Sequence, residues 1–200
     1  MYGKAGLGDT WSTLTTGSSQ IAAAGNRIVS INAGTLNAKD GLGGTWSAET
    51  GATDQFVVTP SLLIIRVGGT VSGKVGLNDM WSTLTTGSSQ IAASENRVVS
   101  INAGTLYAKD GLGGTWYAET GAVDQFALTG SLLVIRVGQT MSAKANLTDQ
   151  WTTIGGDATD IKASGSRIAF RDTKGQIWAK DGINGTWFDE TGPVDQYVIS

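Results

Sequence analysis

The 200-residue sequence contains neither cysteine nor histidine. Without cysteine there is no disulfide scaffold and no thiolate zinc site. Without histidine the commonest general base, triad base and metal ligand is missing. Proline is scarce at two residues, and charged residues make up only 16%. The longest apolar runs, Leu62–Ile65 and Leu132–Ile135, are far shorter than a membrane span, so no membrane insertion is expected. With 14 basic and 17 acidic residues the formal charge is −3. The basic face that nucleic-acid binding requires is lacking. Met1-Tyr2-Gly3-Lys4 is not followed by a leader-like apolar stretch, and a mature secreted chain would look the same, so localisation stays open.

Glycine, by contrast, is abundant at 29 residues, alongside many Thr, Ser, Val and Ile. That mixture suits short strands joined by tight turns in which glycine supplies positive φ.

Self-similarity organises the chain. Trp11, Trp81 and Trp151 lie 70 residues apart, Trp46 and Trp116 fall midway, and Trp187 follows after a one-residue insertion near Lys174. Lysine recurs in step at Lys4, Lys39, Lys74, Lys109, Lys144 and Lys180. Nine residues after each tryptophan stands Gln20, Gln55, Gln90, Gln125, Asp160 or Gln196, followed by Ile21, Phe56, Ile91, Phe126, Ile161 or Tyr197. Each unit of about 35 residues reads as four short strands. In the first unit these are Trp11–Leu14, Gln20–Ala24, Arg27–Ile31 and Thr35–Lys39, with turn signals between them.

A four-stranded meander cannot bury both faces alone, so the copies must pack on one another. Trefoil units are fewer and longer, and solenoid coils shorter. The expected fold is all-β, a six-bladed β-propeller forming a single domain over 1–200. Its repeat units are 4–38, 39–73, 74–108, 109–143, 144–179, and 180–200 plus 1–3. The pattern of Trp, nine residues, a large apolar residue, small residues, a basic/apolar run, a Gly turn and Lys resembles the tectonin and tachylectin type of propeller lectin. That resemblance spans the whole chain.

Units alternate in kind. Residues 11–23 and 81–93 are identical, whereas the even units carry Lys-Asp-Gly-(Leu/Ile)-x-Gly-Thr-Trp and then Glu-Thr-Gly-x-x-Asp-Gln. Aligning the last unit with the fourth places 195–200 over 124–129, and Met1–Lys4 over Met141–Lys144. A counterpart of Gly130–Thr140 is missing between them. The closing blade is therefore expected to lack one strand, leaving an open edge. Natural truncation, engineering and a strand supplied by a partner chain are all compatible with this, and the edge offers a route to a homo-oligomer.

Candidate ligand groups fall at alternating positions. Trp46, Trp116 and Trp187 either wedge between blades or offer an indole face to a sugar ring. Glu49, Glu119 and Glu190 stand three residues on, where odd units have Leu14, Leu84 and Ile154. Arg66, Arg136 and Arg171 end the third strand and can bracket hydroxyls or pair with a glutamate. Tyr107 and Trp178 occupy the variable position two before each lysine, shared with Asn37. Asp40, Asp110 and Asp181 read as turn residues. Asp54, Asp124 and Asp195 read as acceptors for backbone donors where blades meet. The sixfold lysine reads as a solvated or capping residue.

The expected function is a multivalent carbohydrate-binding protein, a lectin with glycan partners and similar sites on or between blades. Neither catalysis, cofactor nor metal is expected. A structural or protein-interaction propeller is the alternative. A glycosidase would need two opposed carboxylates about 5–10 Å apart, and the neighbours Asp189 and Glu190 point to opposite strand faces.

Overall fold

The computed structural model describes residues 1–199 and is all-β, without helix. Two compact units divide the chain, Met1–Asn96 and Arg97–Ser200. In the first, β1 (Tyr2–Gly3) and β2 (Ser12–Thr13) pair as a two-stranded sheet. β3 (Ser18–Ala24), β4 (Arg27–Asn32), β5 (Thr35–Asp40) and β6 (Ser47–Thr50) form an antiparallel meander. A second meander follows in β7 (Gln55–Val58), β8 (Leu63–Val67), β9 (Thr70–Lys74) and β10 (Ser82–Thr85), and β11 (Ser88–Ser94) ends the unit.

The second unit opens with β12 (Arg97–Asn102), β13 (Thr105–Asp110) and β14 (Tyr117–Gly121). The sheet order β11-β12-β13-β14 repeats the meander. Two more sheets comprise β15 (Gln125–Leu128), β16 (Leu133–Val137), β17 (Thr140–Lys144) and β18 (Thr152–Gly155), then β19 (Ala158–Ser164), β20 (Arg167–Asp172), β21 (Ile177–Asp181) and β22 (Phe188–Thr191).

The sheets are offset from the sequence repeat. The segment after each tryptophan, which opens a unit in the sequence, is the last strand of the preceding sheet: β10 pairs with β9 through Ser82↔Gly73 and Thr83↔Ser72. Residues 195–199, the counterparts of 124–128 by that alignment, adopt no strand. Their counterparts β7 and β15 are each held by a hairpin partner, β8 and β16, and 195–199 have none among the described residues. Ser200, included in that alignment, lies outside the described residues. The incomplete sheet thus holds two strands, β1 and β2.

Local chemistry explains the hairpins. Ala33-Gly34, Gly68-Gly69 and Ala103-Gly104 all have positive φ at both positions, the requirement of the type I′ turn whose twist matches antiparallel strands. Hydrophobic faces then pack sheet on sheet. In the first unit Val29, Ile31, Leu36 and Ala38 meet Leu63 and Ile65. In the second, Leu132, Val134, Met141 and Ile154 meet Ala158, Ile161, Ile168 and Phe170.

One irregularity recurs. In all five four-stranded sheets the last strand pairs with the third through a β-bulge. Leu36 opposes Thr50 and Asn37 opposes Ala48, so the register passes over Glu49. Glu119 in β14, Ile154 in β18, Glu190 in β22 and Leu84 in β10 are passed over in the same way. A bulge adds one residue to one strand and re-aims its side chain.

The loop entering each even-unit bulge depends on a close approach. A Cβ on Gly44, Gly114 or Gly185 would lie 2.1–2.2 Å from the carbonyl oxygen of Asp40, Asp110 or Asp181. Gly114→Ala is therefore expected to cost about 1–3 kcal/mol in denaturant unfolding. Gly113→Ala, with nothing within 4 Å, should stay within about 0.5 kcal/mol of wild type.

Candidate functional site

The repeated tryptophans and lysines build sockets. Of the two roles expected for the repeated lysine, solvated or capping, the first does not hold: Lys39, Lys74, Lys109, Lys144 and Lys180 are buried. Each ammonium sits 4.7–5.3 Å from the centroid of the tryptophan seven residues on. Each also donates to the carbonyl three residues ahead, at Leu42, Leu77, Leu112, Leu147 or Ile183, over 2.5–2.6 Å. Sequence pattern missed this because a charged residue at a strand end is ordinarily exposed. The clue was its invariant seven-residue spacing to tryptophan. Burial lowers the Lys109 and Lys180 ammonium pKa values.

The bulge residue of the preceding sheet fills the socket. The Trp81 indole N–H donates to the Glu49 carbonyl at 3.2 Å, and Trp151 to that of Glu119 at 3.1 Å. The side chains of Glu49 and Glu119 form buried ion pairs with Lys74 and Lys144. Where the corresponding residue is apolar, the indole bond persists: Trp46 donates to Leu14 at 3.1 Å and Trp187 to Ile154 at 2.8 Å. Trp187 also meets Phe170 edge-on, with ring centroids 4.8 Å apart.

The expected partnership of each even-unit tryptophan with the glutamate three residues on is not what the structure shows. Glu49 contacts Lys74 and Trp81, and Glu119 contacts Lys144 and Trp151. The register passes over Glu49 and Glu119, and a bulge of this kind re-aims the side chain of the extra residue. Oε1 of both Glu49 and Glu119 is buried without a hydrogen bond. Burial raises the Glu119 carboxyl pKa, and the Lys144 hydrogen bond and charge only partly offset the rise. Glu190, the third member of the set, is exposed.

The arginines are also tied inward. Arg66 pairs with Asp54 at 3.3 Å, and Arg136 lies 4.0 Å from Asp124 and donates to Gly138. The partners are aspartates, not glutamates. The same Asp54 and Asp124 accept the backbone N–H of Gly68 and Gly138, within their own sheet rather than where sheets meet. Asp40, Asp110 and Asp181 pair across the hairpin with Arg27, Arg97 and Arg167. Arg171 donates to the Asp195 carbonyl at 2.6 Å and lines an open cleft of about 650 Å³ with Thr173, Lys174 and Pro193. Trp178 donates to Asp172 at 3.1 Å. Burial works against ionisation of Asp172, yet this bond and the backbone N–H groups of Gln176 and Lys174 leave its pKa lowered.

Trp46 keeps a different setting. With Thr15, Ser30, Asn32, Thr35 and Asn37 it lines a cleft of about 400 Å³. Asn37 is held by a bond to the Thr35 carbonyl, and Asn32 by bonds to Thr15 and Thr16. Tyr107, half-buried, stands at the position of Asn37 in the corresponding sheet, opposite Ser100 as Asn37 is opposite Ser30. Among the described residues no group of three or more Asp, Glu, His or Cys could hold a metal ion.

No family model matches the chain, and no curated protein matches it. Solved structures do. A computationally designed protein, Ika8, superposes with a TM-score of 0.62 at 20% identity over 89% of this chain. Hsv2 of Kluyveromyces lactis with loop 6CD replaced by a Gly-Ser linker gives 0.63 at 13% over 94%. Prp20p of Saccharomyces cerevisiae, described with its binding to Gsp1p and histones, gives 0.62 at 9% over 82%. These are β-propellers.

The chain has the β-propeller fold.

It spans 62% of the designed propeller, 73% of that Hsv2 variant and 58% of Prp20p. The sockets are thus contacts between adjacent propeller blades, with the bulge residue of one blade seated in the next.

The natural alternation of Glu with Leu or Ile at the bulge sets an expectation. Glu119→Leu, which copies the Leu14 and Ile154 arrangement, should change stability by less than about 1 kcal/mol. Lys144→Ala strands a buried carboxylate and should cost about 3–5 kcal/mol in denaturant titration. The folded state holds the Glu119 proton more tightly than the unfolded chain. This group's contribution to stability therefore falls as pH rises from the ordinary glutamate value to the raised one, and is flat on either side. The stability difference between wild type and Glu119→Gln should decline over that window and no other.

Proposed function

We propose that the chain is a non-catalytic β-propeller scaffold that binds protein partners. The observation that carries this reading is the commitment of most candidate ligand groups to internal contacts. Glu49 and Glu119 pair with buried lysines, Arg66 and Arg136 with aspartates, and the indole N–H groups of Trp46, Trp178 and Trp187 are all spent. Loops remain for recognition, and they carry apolar side chains: Val75 and Met80 are exposed beside the Gly76–Asp79 turn. Propellers of similar fold include Prp20p, described with Gsp1p and histones and as bound by Kap60.

A saturable protein partner captured by cross-linking from the native source should bind Met80→Asp at least roughly tenfold more weakly. A glycan array should show no binding. Array binding inhibited by free sugar and lost in Trp46→Ala overturns the reading.

One observation favours a second reading, carbohydrate binding in the cleft beside Trp46. Fixed amides and hydroxyls around an aromatic side chain are the kind of polar groups that orient a sugar. On that reading a saturating monosaccharide shifts the Trp46 indole resonance in wild type. It does not do so in Asn37→Tyr, which installs the residue found at position 107.

A further inference from the structure

We infer that the face carrying Lys4, Trp11 and Ile21 is the docking site for a second copy of this chain, which presents Arg167, Glu190 and Gln196. The inference goes beyond the scaffold reading and does not depend on it.

Two blade contacts inside the chain serve as the template. In the first unit Glu49 pairs with Lys74, its carbonyl accepts the Trp81 indole, Gln55 makes two amide bonds to the Ile91 backbone, and Arg27 donates to the Val75 carbonyl. In the second unit the same contacts recur. Glu119 takes Lys144 and Trp151, Gln125 takes the Ile161 backbone, and Arg97 donates to Ala145. One face of this contact is a lysine, the residue after it, a tryptophan and an isoleucine at fixed spacing. Lys4, Ala5, Trp11 and Ile21 reproduce that spacing. The opposing face is an arginine, a bulge glutamate and a glutamine, and Arg167, Glu190 and Gln196 supply all three.

Both faces stand uncovered. Trp11 is 62% exposed and Ile21 59%, against 1% for Ile91 and 2% for Ile161. The Arg167 side chain is 51% exposed, against 9% for Arg27 and 6% for Arg97. The socket is nonetheless formed: Lys4 already lies 5.1 Å from the Trp11 ring and donates to the Leu7 carbonyl at 2.6 Å. Glu190 is already the bulge residue of β22, exposed and without an ion pair among the described residues. Exposed apolar residues accompany both, with Leu7 and Tyr2 beside the socket and Phe188 beside Glu190. Charge complementarity and the two internal precedents select the partner. A carboxylate-bearing edge fits Lys4, whereas the apolar bulge type fits Lys39 and Lys180. Such a head-to-tail contact closes into a ring of copies or runs on as an open assembly.

Sedimentation velocity on the whole chain over a wide concentration range tests this. Wild type should associate as concentration rises. Lys4→Glu, at a half-buried position, and Glu190→Lys, at an exposed one, should each weaken association about a hundredfold. A mixture of the two variants should associate as wild type does, because the native charge pair forms at one contact and the same pair with its signs exchanged forms at the next. Circular dichroism checks that each variant folds. A wild type that stays monomeric at millimolar concentration, as it would if its own edge or another protein covered the socket, overturns the inference. So does association that the swaps leave unchanged.

Discussion

A buried ammonium under an indole is the interaction on which the propeller turns. Removing a lysine charge from water costs several kcal/mol, and no single partner in the socket repays that alone. The tryptophan face returns on the order of 1–2 kcal/mol when desolvated, and the carbonyl three residues on supplies a charge-assisted bond. In Lys74 and Lys144 a carboxylate completes the set. Because the indole must also donate to a carbonyl on the neighbouring blade, the socket is finished only when two blades meet. Each blade's stability therefore belongs partly to its neighbour, as expected for an architecture built from copies.

The β-bulge converts a flat meander into a connector. By passing over one residue it turns Glu49, Glu119 and Ile154 toward the next blade. The chemistry offered there can then change without altering the frame. Leu or Ile gives a dry contact; Glu gives an ionic one that selects its lysine. Alternation along the chain thus writes two grades of contact into one backbone, with the indole bond common to both.

Much of this was legible in the sequence. The period, the strands, the number of sheets and the incomplete one followed from the spacing of Trp, Lys and Gln, because each blade repeats the same turn chemistry. What stayed hidden depended on pairing. Nothing in the repeat says that the strand after Trp81 belongs with β9, or that a bulge at Glu49 aims its side chain at the lysine of the next sheet. The burial of the repeated lysine was hidden for the same reason: besides the carbonyl it caps three residues on, it packs under a tryptophan seven residues away, and Lys74 and Lys144 meet a glutamate of the neighbouring copy. Of the candidate ligand groups, Trp46 lines an open polar cleft, while Glu49 and Glu119 form buried ion pairs with lysines and Arg66 and Arg136 pair with aspartates.

The bulges also bear on solubility. A protein assembled from near-identical segments, such as residues 11–23 and 81–93, invites its margins to template further copies into fibrils. Because each four-stranded sheet finishes on a strand kinked near its end, a foreign β-segment laid along it would fall out of step after two or three hydrogen bonds. The device that joins blades side by side therefore also discourages uncontrolled growth along their rims.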